Sequence, residues 1–552
     1  MRVTGPPEKR TSASPESTPF TSDSAGAAKE SGPAARTFAT LAWGAAGMAC
    51  LLALLPAAGH DQLWFLLMAQ RWLHGATLYG PQAFDSNTPA IVWLSALPVG
   101  LAERVRLPLP FVAKLLMTLL EIGIAVFSWR TLDRLPVRFT PAMRWYLAFV
   151  FVTFFAVAPA RDFGQRDLLA VLLCLPYVLA AAQPPRSRPS RILAVVLAAI
   201  GICTKPQLAL IPIFVEAALL LMPSLQGGRR RLRIEPLVFL AAGGLFLLAV
   251  HAFAPLYMSQ SLPMTWLTYW AIGHLSATHL VVESVQLHIL FAIALLLLPR
   301  IRRIQTEMAA SFRPTIEVLL IAGVAGMAAY YQQGTGWYYQ QLPGITLLGA
   351  ALALELLVLA ETLEWTVPAW LPRAAAALAA LALGLTLHFS GYPLTEDRAY
   401  AIATPDPSFF AGLAPGTPVA TLTTSVDDAI EPVFRFHLTW AQRTDNLWLL
   451  PAILRAGNPT PFVAPPRRLG AERLTELSAQ QRLWMVEDLT RWRPQLILVA
   501  RCQSPDVHCQ ELEDRHDNLL EFFLTDPGFR EVWQHYRPLR SAGPYDAYIR
   551  SD

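Results

Sequence analysis

The chain has 552 residues, 54% of them hydrophobic and only 15% charged, with a mean hydropathy of +0.38. Soluble globular chains carry about 25% charged residues, so a purely soluble protein is excluded, as is disorder over most of the length. The net charge of +4 hides an asymmetry: residues 390–552 hold 16 basic and 21 acidic side chains, so the basic excess belongs to the apolar part, where it reports orientation and not a nucleic-acid partner.

Residues 1–36 are rich in Ser, Thr, Pro, Ala and Glu and cannot bury a core, which predicts a disordered tail. Residues 37–57 form the first apolar span. A cleaved signal peptide is the competing reading, but the preceding tail is long and the span has membrane length, so an uncleaved helix is expected. Further spans are expected at 111–129, 145–160, 168–182, 192–203, 208–222, 236–253, 285–299, 316–331, 342–360 and 371–389. Several fall short of the ~20 residues that cross a bilayer, and the pair around Thr204-Lys205-Pro206 also fits a re-entrant hairpin.

Arginine clusters set the topology. Four connections carry them: Arg130/Arg134/Arg138/Arg144, Arg186/Arg188/Arg191, Arg229/Arg230/Arg231/Arg233 and Arg300/Arg302/Arg303/Arg313. The positive-inside rule makes these cytoplasmic. Residues 254–284 and 332–341 hold no Lys or Arg and face outward. About eleven spans with the N-terminus inside satisfy these loops; the connection 361–372 has no Arg and adds no support. The apolar stretch 90–101, with Pro98 inside it, must then lie at the outer interface, because counting it as a span inverts the clusters.

Residues 390–552 read as a separate extracytoplasmic domain. Pro418–Leu422 and residues 495–500 have strand character, and 471–491 has helical spacing, which predicts a small α/β domain of Rossmann-like outline. No glycine-rich phosphate loop follows either strand, so no cofactor is assigned there. The expected fold class is an α-helical polytopic membrane protein with a C-terminal soluble α/β domain. Of five cysteines, Cys50, Cys174 and Cys203 lie in apolar stretches as core thiols. Cys502 and Cys509 lie in the outer domain, an oxidising compartment, and are expected to form a disulfide.

The candidate chemistry collects in the outward loops. Asp61 follows the first span and suits a carboxylate that accepts a proton from an acceptor hydroxyl; a helix cap is the structural alternative. The loop Arg161-Asp162-Phe163-Gly164-Gln165-Arg166-Asp167 brings Asp162 and Asp167 to the same surface, with Arg161 and Arg166 able to neutralise them or to bind a phosphate. The chain has only four lysines, and Lys114 and Lys205 sit at outer span ends, against the charge trend, where an anionic partner such as a lipid phosphate would suit them. Snorkelling is the alternative. Residues 330–341 interleave aromatic rings with amides; Trp337, Tyr338, Tyr339 and Gln340 suit a sugar ring, although an interfacial aromatic belt has the same composition. Trp266, Tyr269, Trp270, His274 and His279 share both readings. Glu121 and Glu216 fall inside spans, look isolated, and are assigned buried hydrogen-bonding roles.

The stretch His60-Asp61-Gln62, Gly75-Ala76-Thr77-Leu78-Tyr79 and Asp85-Ser86-Asn87-Thr88-Pro89 resembles the first outer loop of the lipid-dependent GT-C glycosyltransferases, in the protein-mannosyltransferase and lipid A aminoarabinose-transferase group. That loop carries a catalytic Asp, a "G…LY" segment and a Pro-containing turn before an interfacial helix. The family's second outer loop has an acid just before the next helix, a place that Asp167 fits best and Asp162 second. The likeness covers roughly 37–222 by motif and 236–389 by architecture alone. The family's Lys-Pro-Pro turn is here Asn87-Thr88-Pro89, so its phosphate-binding Lys is missing and Lys205 or Lys114 is left to replace it.

The resemblance implies an inverting transfer of a sugar, from a polyprenyl-phosphate donor to a glycan, lipid or protein acceptor, at the outer face of a bacterial cytoplasmic membrane. Asp61 would deprotonate or orient the acceptor. Arg161, Arg166, Lys205 or Lys114 would meet the lipid phosphate, and Tyr79, Asn87 and Gln165 would line the sugar or acceptor site with Trp337, Tyr338, Tyr339 and Gln340. Metal dependence varies across this superfamily, and no ligand cluster in the sequence demands a metal. A transporter or flippase of cell-envelope glycan precursors is the main alternative; it calls for polar residues near the midplane and often for internal repeats, whereas here the charged constellations lie at one surface and no repeat is visible. A non-enzymatic scaffold for the outer domain is the third. A topology reporter fused after Asp552 is expected to read extracytoplasmic and one fused after residue 305 cytoplasmic. Fusions that place Asp61 and Asp167 on opposite sides of the membrane would overturn the whole reading.

Overall fold

The computed structural model describes residues 32–54, 59–183, 188–222, 225, 233–363, 367–388, 405–425, 430–456, 469–505, 507, 509, 512 and 516–552. Most of the expected tail lies outside these residues, as do Arg186, Arg229, Arg230 and Arg231.

Each expected span coincides with a helix. In chain order these are α1 (Pro33–Leu54), α2 (His60–Leu73), α3 (Pro89–Val105), α4 (Leu109–Leu132), α5 (Pro141–Phe151), α6 (Arg166–Ala181), α7 (Arg188–Thr204) and α8 (Leu210–Leu221). Next come α9 (Glu235–Phe253), the short α10 (Leu262–Thr268) and α11 (Ala277–Glu283), then α12 (Val285–Arg303), α13 (Glu307–Gln333), α14 (Leu342–Thr362) and α15 (Leu371–His388). Among the described residues six helices are long and apolar enough to cross a membrane, and four shorter apolar ones accompany them. Helix α3 takes the place of the expected interfacial helix and carries Pro98 inside it.

Local signals open several helices. Pro89 and Pro141 stand at the first helical turn, where the missing N–H costs nothing. Thr140 and Thr306 cap α5 and α13 by accepting from Met143 N at 3.3 Å and Ala309 N at 3.2 Å.

The bundle is built around α6, α13 and α14, which are buried along most of their length. Helices α9 and α12 lie outside them, with Leu240 73% and Leu296 77% exposed, as lipid-facing side chains should be. Small residues let backbones approach: a Cβ on Gly326 of α13 would lie 2.7 Å from Gly344 N of α14. Glu216 is not isolated. Its carboxylate accepts from Tyr177 Oη at 2.7 Å and from Arg233 Nε at 2.8 Å, because the next helix brings an arginine back to it. Arg191 forks onto Glu235 close by, at 2.6 and 2.8 Å. Glu121 is buried with one oxygen unpaired. Cys174 is a core thiol, Cys203 is half-buried, and Cys50 is exposed on α1 and so lies outside the core.

The C-terminal domain has a five-stranded sheet of order β2-β1-β3-β5-β4, with β1 Pro418–Leu422, β2 Thr439–Trp440, β3 Leu496–Ala500, β4 Tyr536–Ala542 and β5 Tyr545–Arg550. The first three strands run parallel and β5 is antiparallel to both β3 and β4. All five residues of β3 are buried, as befits a central strand covered on both faces. The helix Ala471–Trp492 follows the expected spacing. Cys502 and Cys509 are joined as a disulfide, with Cα atoms 5.4 Å apart.

This domain is fastened to the segment between α2 and α3. Arg71 donates to the carbonyls of Gln82 and Gln442, each at 2.7 Å, and to that of Trp440. Phe84 N donates to Arg443 O at 2.7 Å, and the Phe84 ring packs on Trp484 and Trp448 at 4.7 and 5.9 Å. Arg455 donates to Ala271 O at 2.8 Å, a second fastening on the loop after α10. Overpacking a close helix crossing tests the bundle: Gly326→Leu is expected to destabilise it by about 1–3 kcal/mol, read as a lower melting temperature in detergent, while Gly100→Ala, inside α3 with no neighbour near its would-be Cβ, does not lower melting.

Candidate active site

Four chain segments converge at the end of the bundle that carries the C-terminal domain. Helix α2 starts at His60, directly after the extended Gly59, which places Asp61 in its first turn. Helix α6 starts at Arg166, after a tight loop. Gly164 makes that loop fit: its φ is +94°, and a Cβ there would come within 2.4 Å of the Gln62 side chain. Lys205 stands between α7 and the turn Pro206–Ala209. Tyr339 comes from the turn before α14.

Both oxygens of Asp61 are engaged. His60 Nε2 lies 2.7 Å from Oδ1, and Arg166 Nη2 lies 3.1 Å from Oδ2. Burial pushes the Asp61 carboxyl up, but the charges of His60 and Arg166, with the His60 hydrogen bond, outweigh it and hold the group well below the usual carboxylate range. Arg166 also donates through Nη1 to Asn87 Oδ1, and its guanidinium lies 5.0 Å over the Phe65 ring. Its Nε is buried without a partner, and so is Oε1 of the neighbouring Gln165.

The second ion pair lies beside the first. Asp167 is fully buried and receives Lys205 Nζ at 3.1 Å. The same ammonium sits 5.7 Å over the Tyr339 ring. The Lys205 turn is stitched to the Asn87-Thr88-Pro89 turn, since Thr88 Oγ1 donates to Cys203 O at 2.7 Å. This contact brings the Lys205 turn alongside the Asn87-Thr88-Pro89 turn.

A third carboxyl had no assigned role in the sequence. Asp85 is buried, accepts from the Trp64 indole and from Asn87 N, and is pushed up by burial. Tyr79, in a left-handed conformation at φ 63°, donates through Oη to Asn87 O at 2.7 Å and packs on Tyr257 at 5.0 Å.

The remaining expected residues take varied places. Asp162 is buried on the turn Ala160–Asp162. Arg161 lies on the same turn, its side chain outside the described ones. Trp337 packs on Tyr339 with ring centroids 5.7 Å apart. Tyr338 donates to Ala158 O at 2.8 Å, and Gln340 accepts from Thr335 Oγ1 at 2.7 Å, so both hold the loop in place. Lys114 is half-buried on α4. Among the described residues no group of three His, Cys, Asp or Glu is arranged to hold a metal ion.

Chemically, the arrangement presents two buried cations side by side, each held by its own carboxylate, with unsatisfied polar atoms and an aromatic ring beside them. Guanidinium and ammonium groups so placed have the chemistry to meet an anionic group, with acidic side chains on their flank.

No protein-family model matches the sequence, and no curated protein matches it. Among solved structures, ArnT from Cupriavidus metallidurans bound to undecaprenyl phosphate is similar over 92% of this chain and 97% of that one, at 14% identity and a TM-score of 0.51. The apo state of ArnT gives a TM-score of 0.49 at 14% identity, over 92% and 96%. The oligosaccharyltransferase AglB from Archaeoglobus fulgidus, in complex with an inhibitory peptide and a dolichol-phosphate, gives 0.42 at 12% identity, over 93% and 74%. In fold, this chain is therefore similar to ArnT over nearly its whole length.

Proposed function

We propose that this chain is an integral membrane glycosyltransferase that moves a sugar from a polyprenyl-phosphate carrier to an acceptor at the outer face of the membrane. The observation that carries this reading is the pairing of Arg166 with Asp61 and of Lys205 with Asp167, delivered by separate helices to one rim of the bundle. The likeness to ArnT, solved with undecaprenyl phosphate bound, supports a lipid phosphate as the anion.

In the transfer, an acceptor oxygen attacks the anomeric carbon. The bond from that carbon to the carrier phosphate breaks, and its electron pair stays on the phosphate. Arg166 and Lys205 meet the growing charge. Holding each cation against its own acid keeps it charged and aimed before the donor arrives, so little reorganisation is left for the reaction step. Asp61 orients Arg166 on the donor side and faces the acceptor on the other. A single displacement, with acceptor and leaving phosphate on opposite faces of the sugar, inverts the anomeric centre. Tyr339 and Trp337 offer faces for the C–H side of the sugar ring, and Asn87 and Gln165 offer amides for its hydroxyls.

A strain lacking the gene is expected to accumulate a polyprenyl-phosphate sugar together with an acceptor lacking that sugar, both seen by lipid and glycan mass spectrometry. An unchanged profile would overturn the reading. In the complemented strain, Asp61→Asn and Arg166→Ala are each expected to reduce transfer by about a hundredfold or more, with membrane insertion intact.

A further inference from the structure

The apolar seam under the C-terminal domain leads to both halves of the ion-pair cluster. Phe84, Ile272, Trp448, Leu449 and Trp484 form one buried cluster, the first two from the connections of the bundle and the last three from the C-terminal domain. Trp337 packs against it. Two short runs of chain connect this seam to the two cations.

The first run ends on Arg166. Phe84 is pinned to the C-terminal domain by its N–H on Arg443 O at 2.7 Å and by its ring on Trp448 and Trp484. The next residue, Asp85, accepts from Trp64 Nε1 and from Asn87 N, and its carbonyl accepts from Ser261 Oγ. Asn87 Oδ1 then accepts from Arg166 Nη1. The second run ends on Lys205. Arg455, on the helix Leu450–Arg455 and only 3% exposed, donates through Nη1 to Ala271 O at 2.8 Å, and Ala452 of the same helix packs with Trp270 and Ala271. Two residues on, Gly273 lies against the Trp337 indole: its φ is +63°, and a Cβ there would stand 3.2 Å from the ring. Leu275 N donates to Gly334 O at 2.8 Å and ties the same two loops together. Trp337 packs on Tyr339, and the Lys205 ammonium sits over the Tyr339 ring. Residues 84–88 and 334–337 belong to no helix or strand, so their shape depends on the groups that grip them.

We infer that Trp448 and Arg455 of the C-terminal domain are positioning residues for Arg166 and Lys205, so that the seating of this domain and the binding of a lipid phosphate are linked. This deepens the transferase reading above and rests on it. Trp448 acts through Phe84, and Arg455 acts through Ala271; each grips the near end of a run whose far end aims a cation. A cation aimed before the anion arrives has less freedom left to lose on binding it. Loosening the seam therefore weakens the hold on the anion. By linkage, the bound anion tightens the seam by the same factor.

The test titrates purified full-length protein in detergent with undecaprenyl phosphate. Trp448→Ala and Arg455→Ala are each expected to weaken binding by about 5–150-fold, and the conservative Trp448→Phe to recover most of the affinity. Arg473→Ala, which removes an exposed ion pair with Glu476 on the same domain, is expected to bind as the wild type does. Amide hydrogen exchange of the wild type gives a readout that needs no variant. Saturating undecaprenyl phosphate is expected to slow exchange in the peptides carrying Phe84 and Leu275, whose N–H groups close the two runs, by a comparable factor. Wild-type affinity in both alanine variants, or exchange at Phe84 and Leu275 that the bound lipid leaves unchanged, overturns the inference. A wild-type protein that binds no undecaprenyl phosphate instead overturns the lipid-phosphate reading beneath it.

Discussion

A guanidinium shut away from water needs a counter-charge, and Arg166 obtains one from Asp61. Removing one partner from a buried pair leaves the other uncompensated at a cost of about 3–5 kcal/mol. The surrounding architecture follows from that constraint. Arg166 opens α6, the most enclosed helix of the bundle, and Asp61 opens α2. Joining them fixes the two connections on which the other polar groups stand. Asn87 is drawn in by the same guanidinium, and the Lys205 turn follows through Thr88. Two acid–base pairs thus stand side by side, each cation neutralised by its own carboxylate.

The C-terminal domain is part of this rim and not an appendage. Its loop at 440–448 is fastened to the segment that carries Asp85, and the Trp448–Phe84–Trp484 contact seals the seam. Charges from both domains act on one another across it.

The bundle was largely legible in the sequence, because the bilayer imposes a length and a polarity that apolar runs cannot hide. Strand β1 and the helix Ala471–Trp492 were legible through alternation and helical spacing. Loop charges put Asp61, Arg166, Asp167 and Lys205 on one expected surface, but which of them pair depends on contacts that no local pattern marks. What the sequence concealed depends on contact between remote segments. Glu216 looked unpaired because Arg233 returns to it only after a turn between helices. Asp85 looked ordinary because nothing local marks the environment it enters. Gln340 looked free to hold a sugar, while the fold engages it with Thr335.

Arg71 grips main-chain oxygens: those of Gln82, Gln442 and Trp440. Every residue type offers a carbonyl, so this clasp is indifferent to which side chains the clasped strand displays. Side-chain substitutions along the clasped segment therefore leave the acceptors of the clasp in place, and the joint tolerates changes that a side-chain ion pair would not.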